Sequence, residues 1–250
     1  MAHIHSAYIV TTIITRFADG TKIGSATGFF FADDNNNLYV VTNKHVIYGD
    51  NYDKSGEPQI DKITLNLHTN ASDLTQNEEV TIHLFDKTNK KWLEHNDQSV
   101  DVVLIPVNLN SEKYVFSSVN RSFLECPFWV HFEKIMVVGY PHGWYDYVNN
   151  LPIVRIGHLS SPFKVPFQGK PVMIGDVITH AGMSGGPVFM DLKDPVTKQP
   201  DGKFVVKFGR TFLLVGINSG QFRIPENTER TNLIHIWFPE LILEIANMAQ

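Results

Sequence analysis

The sequence has a single cysteine, Cys126, in 250 residues, so the chain cannot form an internal disulfide. Its start also lacks the basic stretch followed by a long apolar run that marks a secretory signal. Both absences favour a reducing compartment, because disulfides persist mainly in oxidising ones. The sequence therefore predicts a cytoplasmic protein, or a secreted or periplasmic one if a signal peptide has been removed.

Charge and hydropathy give no sign of a nucleic-acid or membrane partner. The net charge is −5, so there is no basic excess to bind phosphates. The apolar runs are only as long as strands, well short of the about 20 residues that a membrane-spanning helix needs. His3 and His5 form a His-x-His pair, but no cysteine or carboxylate cluster completes a metal site, and no phosphate-binding glycine loop occurs. We expect no metal, no cofactor, no nucleic acid and no membrane.

The chain contains many short apolar runs, rich in β-branched residues and separated by turn residues, which is typical of an all-β protein. In the first part of the chain, strands are predicted at residues 7–17, 24–31, 38–42, 60–67, 79–85, 92–94 and 101–107. In the second part they are predicted at residues 134–141, 152–159, 171–178, 187–190, 204–208 and 211–219. A helix is predicted from residue 238 onward, with an apolar face of Leu241, Ile242, Ile245 and Met248.

Residues 182–187, with the sequence GMSGGP, form a glycine-bounded turn that carries one hydroxyl group, that of Ser184. A nucleophilic serine needs such a turn, because its oxygen must stand clear of the backbone and amide N–H groups must face the developing oxyanion. By itself the segment would more readily be an ordinary glycine-rich hairpin turn. The interpretation depends on the rest of a catalytic triad.

A histidine and an aspartate each lie directly next to an apolar run that is predicted to be a strand. His45 comes just after the run at 38–42, and Asp101 comes just before the run at 102–105. His45 alone could be a structural histidine, since the chain has 11. Asp97 is a rival to Asp101, but it lies in a polar loop, whereas Asp101 adjoins the strand. We therefore favour Asp101.

These three motifs, in the order His45, Asp101, Ser184, resemble those of the trypsin-like (chymotrypsin-fold) serine peptidases, here without disulfides, as in bacterial members. The resemblance implies two six-stranded antiparallel β-barrels followed by a C-terminal α-helix. Residues 1–115 would form the barrel that carries His45 and Asp101, and residues 116–250 the barrel that carries Ser184. It also implies endopeptidase activity through an acyl-enzyme, with an oxyanion hole formed by the N–H groups of Gly182 and Ser184.

The same resemblance implies which residues form the substrate pocket. Ile178, six positions before Ser184, would form an apolar floor, which disfavours Arg or Lys before the cut. The walls, and a strand that could pair with the substrate main chain, would come from Thr179, Ser219, Gly220 and Gln221. His180 would either line this pocket or have a structural role. A medium-sized apolar or polar side chain is the expected preference.

The residue before the nucleophile departs from the pattern of the animal digestive enzymes. Those enzymes have an acidic residue there, which pairs with a freed N-terminus, whereas this chain has Met183. Activation by N-terminal cleavage is therefore not expected, and the oxyanion hole is either preformed or set by another contact.

Two functions other than a peptidase stay open. The chain could be a non-catalytic peptide-binding or scaffold protein on the same fold, or a serine esterase. The expected partner is a protein or peptide substrate, and a regulatory protein partner stays open as well.

Overall fold

The structure is a computed structural model that describes residues 4–49, 57–128, 130, 133–199, 201–221 and 231–248. Most regular elements in these residues are strands. In the first half they are β1 Thr11–Ala18, β2 Thr21–Ala32, β3 Leu38–Thr42, β4 Lys62–His68, β5 Asn77–His83, β6 Phe85–Asp86, β7 Asn89–Lys90, β8 Leu93–Glu94 and β9 Val103–Pro106. In the second half they are β10 Lys134–Gly139, β11 Ile153–Leu159, β12 Val172–Asp176, β13 Pro187–Lys193, β14 Val196–Lys198, β15 Phe204–Val206, β16 Arg210–Gln221 and β17 Leu233–Trp237.

The described residues also form four short helices. They are α1 Ser6–Ile9, α2 Lys44–Tyr48, α3 Arg121–Leu124 and α4 Glu240–Asn247, with one 3-10 turn at Pro141–Gly143. The all-β prediction and the C-terminal helix are confirmed. Among the described residues the longest helix, α4, has eight residues, and none is long and apolar enough to cross a membrane.

The two halves of the chain form separate antiparallel sheets. The second is a closed six-stranded barrel in the order β10-β11-β12-β17-β16-β13, as predicted. The first is a seven-stranded sheet in the order β5-β4-β1-β2-β3-β9-β8. The prediction of closed six-stranded barrels is therefore confirmed for the second half only. In the first half the short strand β8 extends the sheet beyond β9, and the described residues contain no β5–β8 pairing. The domain boundary after residue 115 stays a prediction.

Some local assignments differ from the sequence prediction. Residues 6–9 form α1 instead of the start of the first strand, since the His5 ring nitrogen accepts a hydrogen bond from the Ala7 N–H and begins a helical turn. β17 was not predicted, yet it pairs with both β12 and β16 and completes the barrel. Met248 caps the C-terminal end of α4 and is 46% exposed, and Ala246 takes its place on the buried face.

The buried side chains form three clusters that explain how the halves are held together. One cluster fills the first sheet, from Ile14 to Ile105, and a second fills the barrel, from Val130 to Ile236. The third joins them, because it packs Phe29 and Leu104 of the first half with Leu214 of the second half and with Ile242 of α4. The C-terminal helix contacts β8 and β9, so it lies over the first sheet.

Candidate active site

His45 lies in the first turn of α2, which follows directly on β3. Its backbone N–H donates to Asp101 Oδ1 at 2.8 Å, and its ring Nδ1 lies 2.7 Å from Asp101 Oδ2. The Asn43 side-chain amide donates to the Asp101 backbone carbonyl at 2.7 Å, which joins the two segments a third time. Asp101 is buried at 1% exposure, whereas the His45 side chain is 20% exposed. The structure therefore brings together two of the predicted residues as a hydrogen-bonded pair.

The Asp101 carboxylate also accepts a hydrogen bond from the Ser219 hydroxyl. An ionised carboxylate can only accept hydrogen bonds. The ring nitrogen that faces it, His45 Nδ1, therefore carries a hydrogen. In a neutral ring, Nε2 is then unprotonated and able to accept a proton. Ser219 was predicted to bind substrate, and its contact with Asp101, which spans 118 residues of the chain, was not predicted.

Asp97, the rival candidate, lies elsewhere. Its carboxylate accepts from the Ser99 N–H at 2.9 Å in an exposed turn, and this bond lowers its pKa. The structure thus pairs Asp101, and not Asp97, with His45.

The Ser184 turn requires two of its glycines. Gly182 and Gly185 have φ values of +92° and +81°, a region that side chains resist. A Cβ on Gly182 would overlap the Tyr140 carbonyl, and one on Gly185 would overlap Thr42 and the Thr27 carbonyl. This close packing sets the turn against β2 and β3.

The same contacts place Ser184 beside the strand that leads into His45. The Thr27 N–H donates to the Ser184 carbonyl at 2.9 Å, and the Thr42 hydroxyl donates to the Thr27 carbonyl at 2.8 Å. Thr42 ends β3, three residues before His45. On the barrel side, Asn218 bonds the serine turn while its neighbour Ser219 bonds Asp101. The Ser184 turn and the His45–Asp101 pair therefore both lie at the boundary between the two sheets.

The residues predicted for the substrate pocket lie around β16 and the segment before the turn. Thr179 is 1% exposed, and its carbonyl accepts from Gln221 Nε2 at 2.8 Å. Gly220 has a φ of +93°, where the pairing of β16 with β17 becomes irregular. Ile178, the predicted apolar floor, keeps 45% of its surface exposed. The part these residues play in substrate binding stays a prediction.

His180 and His235 are further histidines of this region. The His180 ring lies 5.1 Å from that of His142, between centroids. His235, on β17, has a lowered pKa because of burial and the nearby charge of Lys170, although Asp101 acts in the opposite direction. Within the described residues no group of histidine, cysteine and carboxylate side chains could hold a metal ion.

Helix α2 is anchored by a buried ion pair next to His45. Lys44, with a side chain only 2% exposed, lies 3.1 Å from Glu94 Oε2 and donates to Gln98 Oε1 at 2.6 Å. Tyr48 and Trp92 also donate to Glu94. Burial raises the pKa of Glu94, but these hydrogen bonds and the Lys44 charge outweigh it, and the net shift is downward.

We expect the substitution Lys44→Met to lower the free energy of unfolding by about 3 kcal/mol, because it leaves Glu94 buried without its main cation. Since the Glu94 pKa is lower in the folded state, this stabilisation is complete above the unfolded pKa of about 4.3 and is lost as the pH falls through the folded value. Urea unfolding at pH 7 and pH 3.5 measures both effects.

Lys113→Met is the matched control for Lys44→Met, because Lys113 pairs with Glu78 at the exposed surface, where an ion pair contributes little. The double variant Lys44→Met with Glu94→Gln should recover part of the lost free energy of unfolding. Equal effects of Lys44→Met and Lys113→Met would contradict the anchoring role.

Two packed antiparallel sheets, with a buried His–Asp pair and a glycine-bounded serine turn at their boundary, define a chymotrypsin-like fold. The sequence profile of the trypsin-like peptidase domain matches residues 26–195, which include His45, Asp101 and Ser184. The chain therefore belongs to the trypsin-like peptidase family. No curated protein sequence matches it.

Solved structures support the same fold. The chain resembles the thermostable serine protease AL20 from an extremophilic microorganism, with a TM-score of 0.57 and 11% identity over 98% of both chains. It also resembles the serine endoprotease from Yersinia pestis, with a TM-score of 0.54 and 14% identity over 97% of this chain and 63% of that one. At these identities the likeness concerns the fold.

Proposed function

We propose that the chain is a serine endopeptidase that hydrolyses peptide bonds through Ser184, His45 and Asp101. The observation that carries the proposal is the Asp101 carboxylate, which is buried and accepts from both the backbone N–H and the ring of His45. This arrangement fixes the ring and its tautomer, as a general base requires.

In the acylation step, the Ser184 oxygen attacks the substrate carbonyl carbon and gives its proton to His45 Nε2. The negative charge that forms on the carbonyl oxygen is stabilised by the N–H groups of Gly182 and Ser184. Collapse of the tetrahedral intermediate breaks the C–N bond, and His45 returns the proton to the leaving amine. Asp101 stays ionised and stabilises the imidazolium.

In the deacylation step, a water molecule attacks the acyl-enzyme ester and gives a proton to His45. Collapse releases the new carboxyl end of the substrate, and Ser184 recovers its proton from His45. The substrate main chain would lie along residues 219–221, as an added strand beside β16. Ile178 and Thr179 would contact the side chain before the cut.

The test is turnover of a mixed peptide library and of a matching set of acyl esters by the wild-type chain and by Ser184→Ala. We expect wild-type protein to cleave internal peptide bonds and Ser184→Ala to cleave none. Turnover of esters alone would favour a serine esterase. Binding of peptides without any cleavage would overturn the proposal in favour of a peptide-binding protein.

We further propose that the protein acts in the cytoplasm on protein or peptide substrates. Support comes from its single cysteine, Cys126, which excludes an internal disulfide of the kind that stabilises many proteins of oxidising compartments. Cell fractionation that found the chain in an oxidising compartment would contradict this assignment.

A further inference from the structure

Three consecutive carbonyl groups of the turn before Ser184 accept hydrogen bonds from outside the turn. The Ala181 carbonyl accepts from the His142 N–H at 2.6 Å. The Gly182 carbonyl accepts from the Thr27 hydroxyl at 2.7 Å, and the Met183 carbonyl accepts from the Asn218 side-chain amide at 2.7 Å. Thr27 belongs to the first sheet and Asn218 to the barrel, so the turn is held from both sides.

These bonds determine where the amide N–H groups of the turn point. In a planar trans peptide the C=O and the N–H point in opposite directions. Since the carbonyls of Ala181 and Met183 face His142 and Asn218, the N–H groups of Gly182 and Ser184 face the other way. Among the described residues, no protein group accepts a hydrogen bond from either N–H. Both donors are therefore available to a ligand.

A second hydrogen bond orients each of the Thr27 and Asn218 side chains. The Thr27 hydroxyl accepts from the Tyr140 N–H at 3.2 Å, so its own hydrogen is committed to Gly182. The side-chain oxygen of Asn218 accepts from the Gly220 N–H at 3.3 Å, which orients its amide nitrogen toward Met183. Both residues are fully buried at 0% exposure, where an unmade hydrogen bond costs most.

We propose that Thr27 and Asn218 are positioning residues that hold the oxyanion turn in its binding form, so that the chain needs no cleavage to become competent. This inference rests on the proposed function. In the animal digestive enzymes an acidic residue before the nucleophile fixes this turn by pairing with the N-terminus. Here Met183 stands in that position, buried with 0% exposure in the apolar cluster of the barrel, and Asn218 fixes its backbone instead. A flipped Ala181–Gly182 peptide would lose the His142 bond, and a flipped Met183–Ser184 peptide would lose the Asn218 bond. The Thr27 bond holds the Gly182–Met183 peptide that joins the two.

The test is Thr27→Val, which removes the hydroxyl and keeps the shape, with Thr27→Ser as the conservative variant. We expect Thr27→Val to lower kcat on the order of 10- to 100-fold, less than the 10²- to 10³-fold typical of losing an oxyanion donor outright. KM should change by less than about threefold, because ground-state binding does not use the hole. A peptide boronate, which mimics the tetrahedral state, should bind more weakly by the same factor as kcat falls. Thr27→Ser should restore both values.

Thr12→Val is the matched control, because Thr12 is a buried strand threonine whose hydroxyl donates to the carbonyl of its neighbour Ile13 and not to the serine turn. It should leave kcat and boronate affinity unchanged. Asn218→Asp, which cannot donate to the Met183 carbonyl, should reproduce the loss from the barrel side and covers the case in which Thr27→Val does not fold. If folded Thr27→Val and Asn218→Asp match Thr12→Val, the positioning role is wrong. If wild-type protein neither cleaves peptides nor binds the boronate, the proposed peptidase function fails instead, and this role fails with it.

Discussion

Replacing His45 by alanine should lower kcat for a peptide substrate on the order of 10⁶-fold, the loss typical of a serine peptidase without its base. The Ser184 hydroxyl is almost fully protonated at neutral pH and becomes a nucleophile only if a base takes its proton. The ring of His45 is oriented for this by Asp101 at 2.7 Å. Steady-state and single-turnover kinetics of a fluorogenic peptide measure the effect.

The loss should not add to that of Ser184→Ala. Because the two groups act in one proton transfer, the double variant His45→Ala with Ser184→Ala should be no slower than either single variant. His158→Ala, which removes an exposed histidine of β11, should keep wild-type activity. Additive losses, or a His45→Ala variant with near-wild-type kcat, would show that His45 is not the base.

Asp101→Asn should lower kcat on the order of 10⁴-fold at neutral pH with little change in fold. All three groups that face the carboxylate donate to it: the His45 N–H, the His45 Nδ1–H and the Ser219 hydroxyl. An asparagine presents an NH₂ group in place of one acceptor. If that group faces the ring, Nδ1 must give up its proton, and Nε2 then carries a hydrogen toward Ser184.

Asp97→Asn is the control for Asp101→Asn, because Asp97 is close in sequence and bonds only its own exposed turn. It should leave kcat unchanged. Rates are compared from pH 5 to pH 9 together with thermal unfolding, so that a lost base is separated from a lost fold. Equal kinetic effects of the two substitutions would contradict the assignment of Asp101.

The residues of the proposed triad were found from sequence because each has a local signature. His45 follows an apolar strand, Asp101 precedes one, and Ser184 lies in a glycine-bounded turn whose φ values only glycine tolerates well. The order of the three along the chain then distinguishes one fold from others that host the same chemistry. These signals need no knowledge of long-range contacts.

The supporting contacts carry no such signature. Ser219 meets Asp101 across 118 residues, and Thr27 meets Gly182 across 155, so no local period or spacing relates them. The role of Asn218 depends on the pairing of β16 with the serine turn, which exists only in the folded chain. Ser219 could be predicted from the sequence as a residue of the site, but its hydrogen-bond partner could not.

The missed strand and the unclosed sheet have a similar cause. β17 is five residues long and lies directly before the C-terminal helix, so its apolar run merges with the helix pattern, and its pairing with β12 and β16 alone reveals it. In the first half, sequence could predict the individual strands, but closure depends on whether β5 and β8 meet at the sheet edges. That is a property of strand tilt and register, not of composition.

The central claim is that Ser184 is a nucleophile activated at the boundary of the two sheets. The most direct measurement is reaction of the folded wild-type chain with a fluorophosphonate, followed by intact mass and peptide mapping. We predict one adduct per chain, located on Ser184, and none in Ser184→Ala or, over the same time, in His45→Ala. An unlabelled wild-type chain, or an adduct on another residue, would contradict the account.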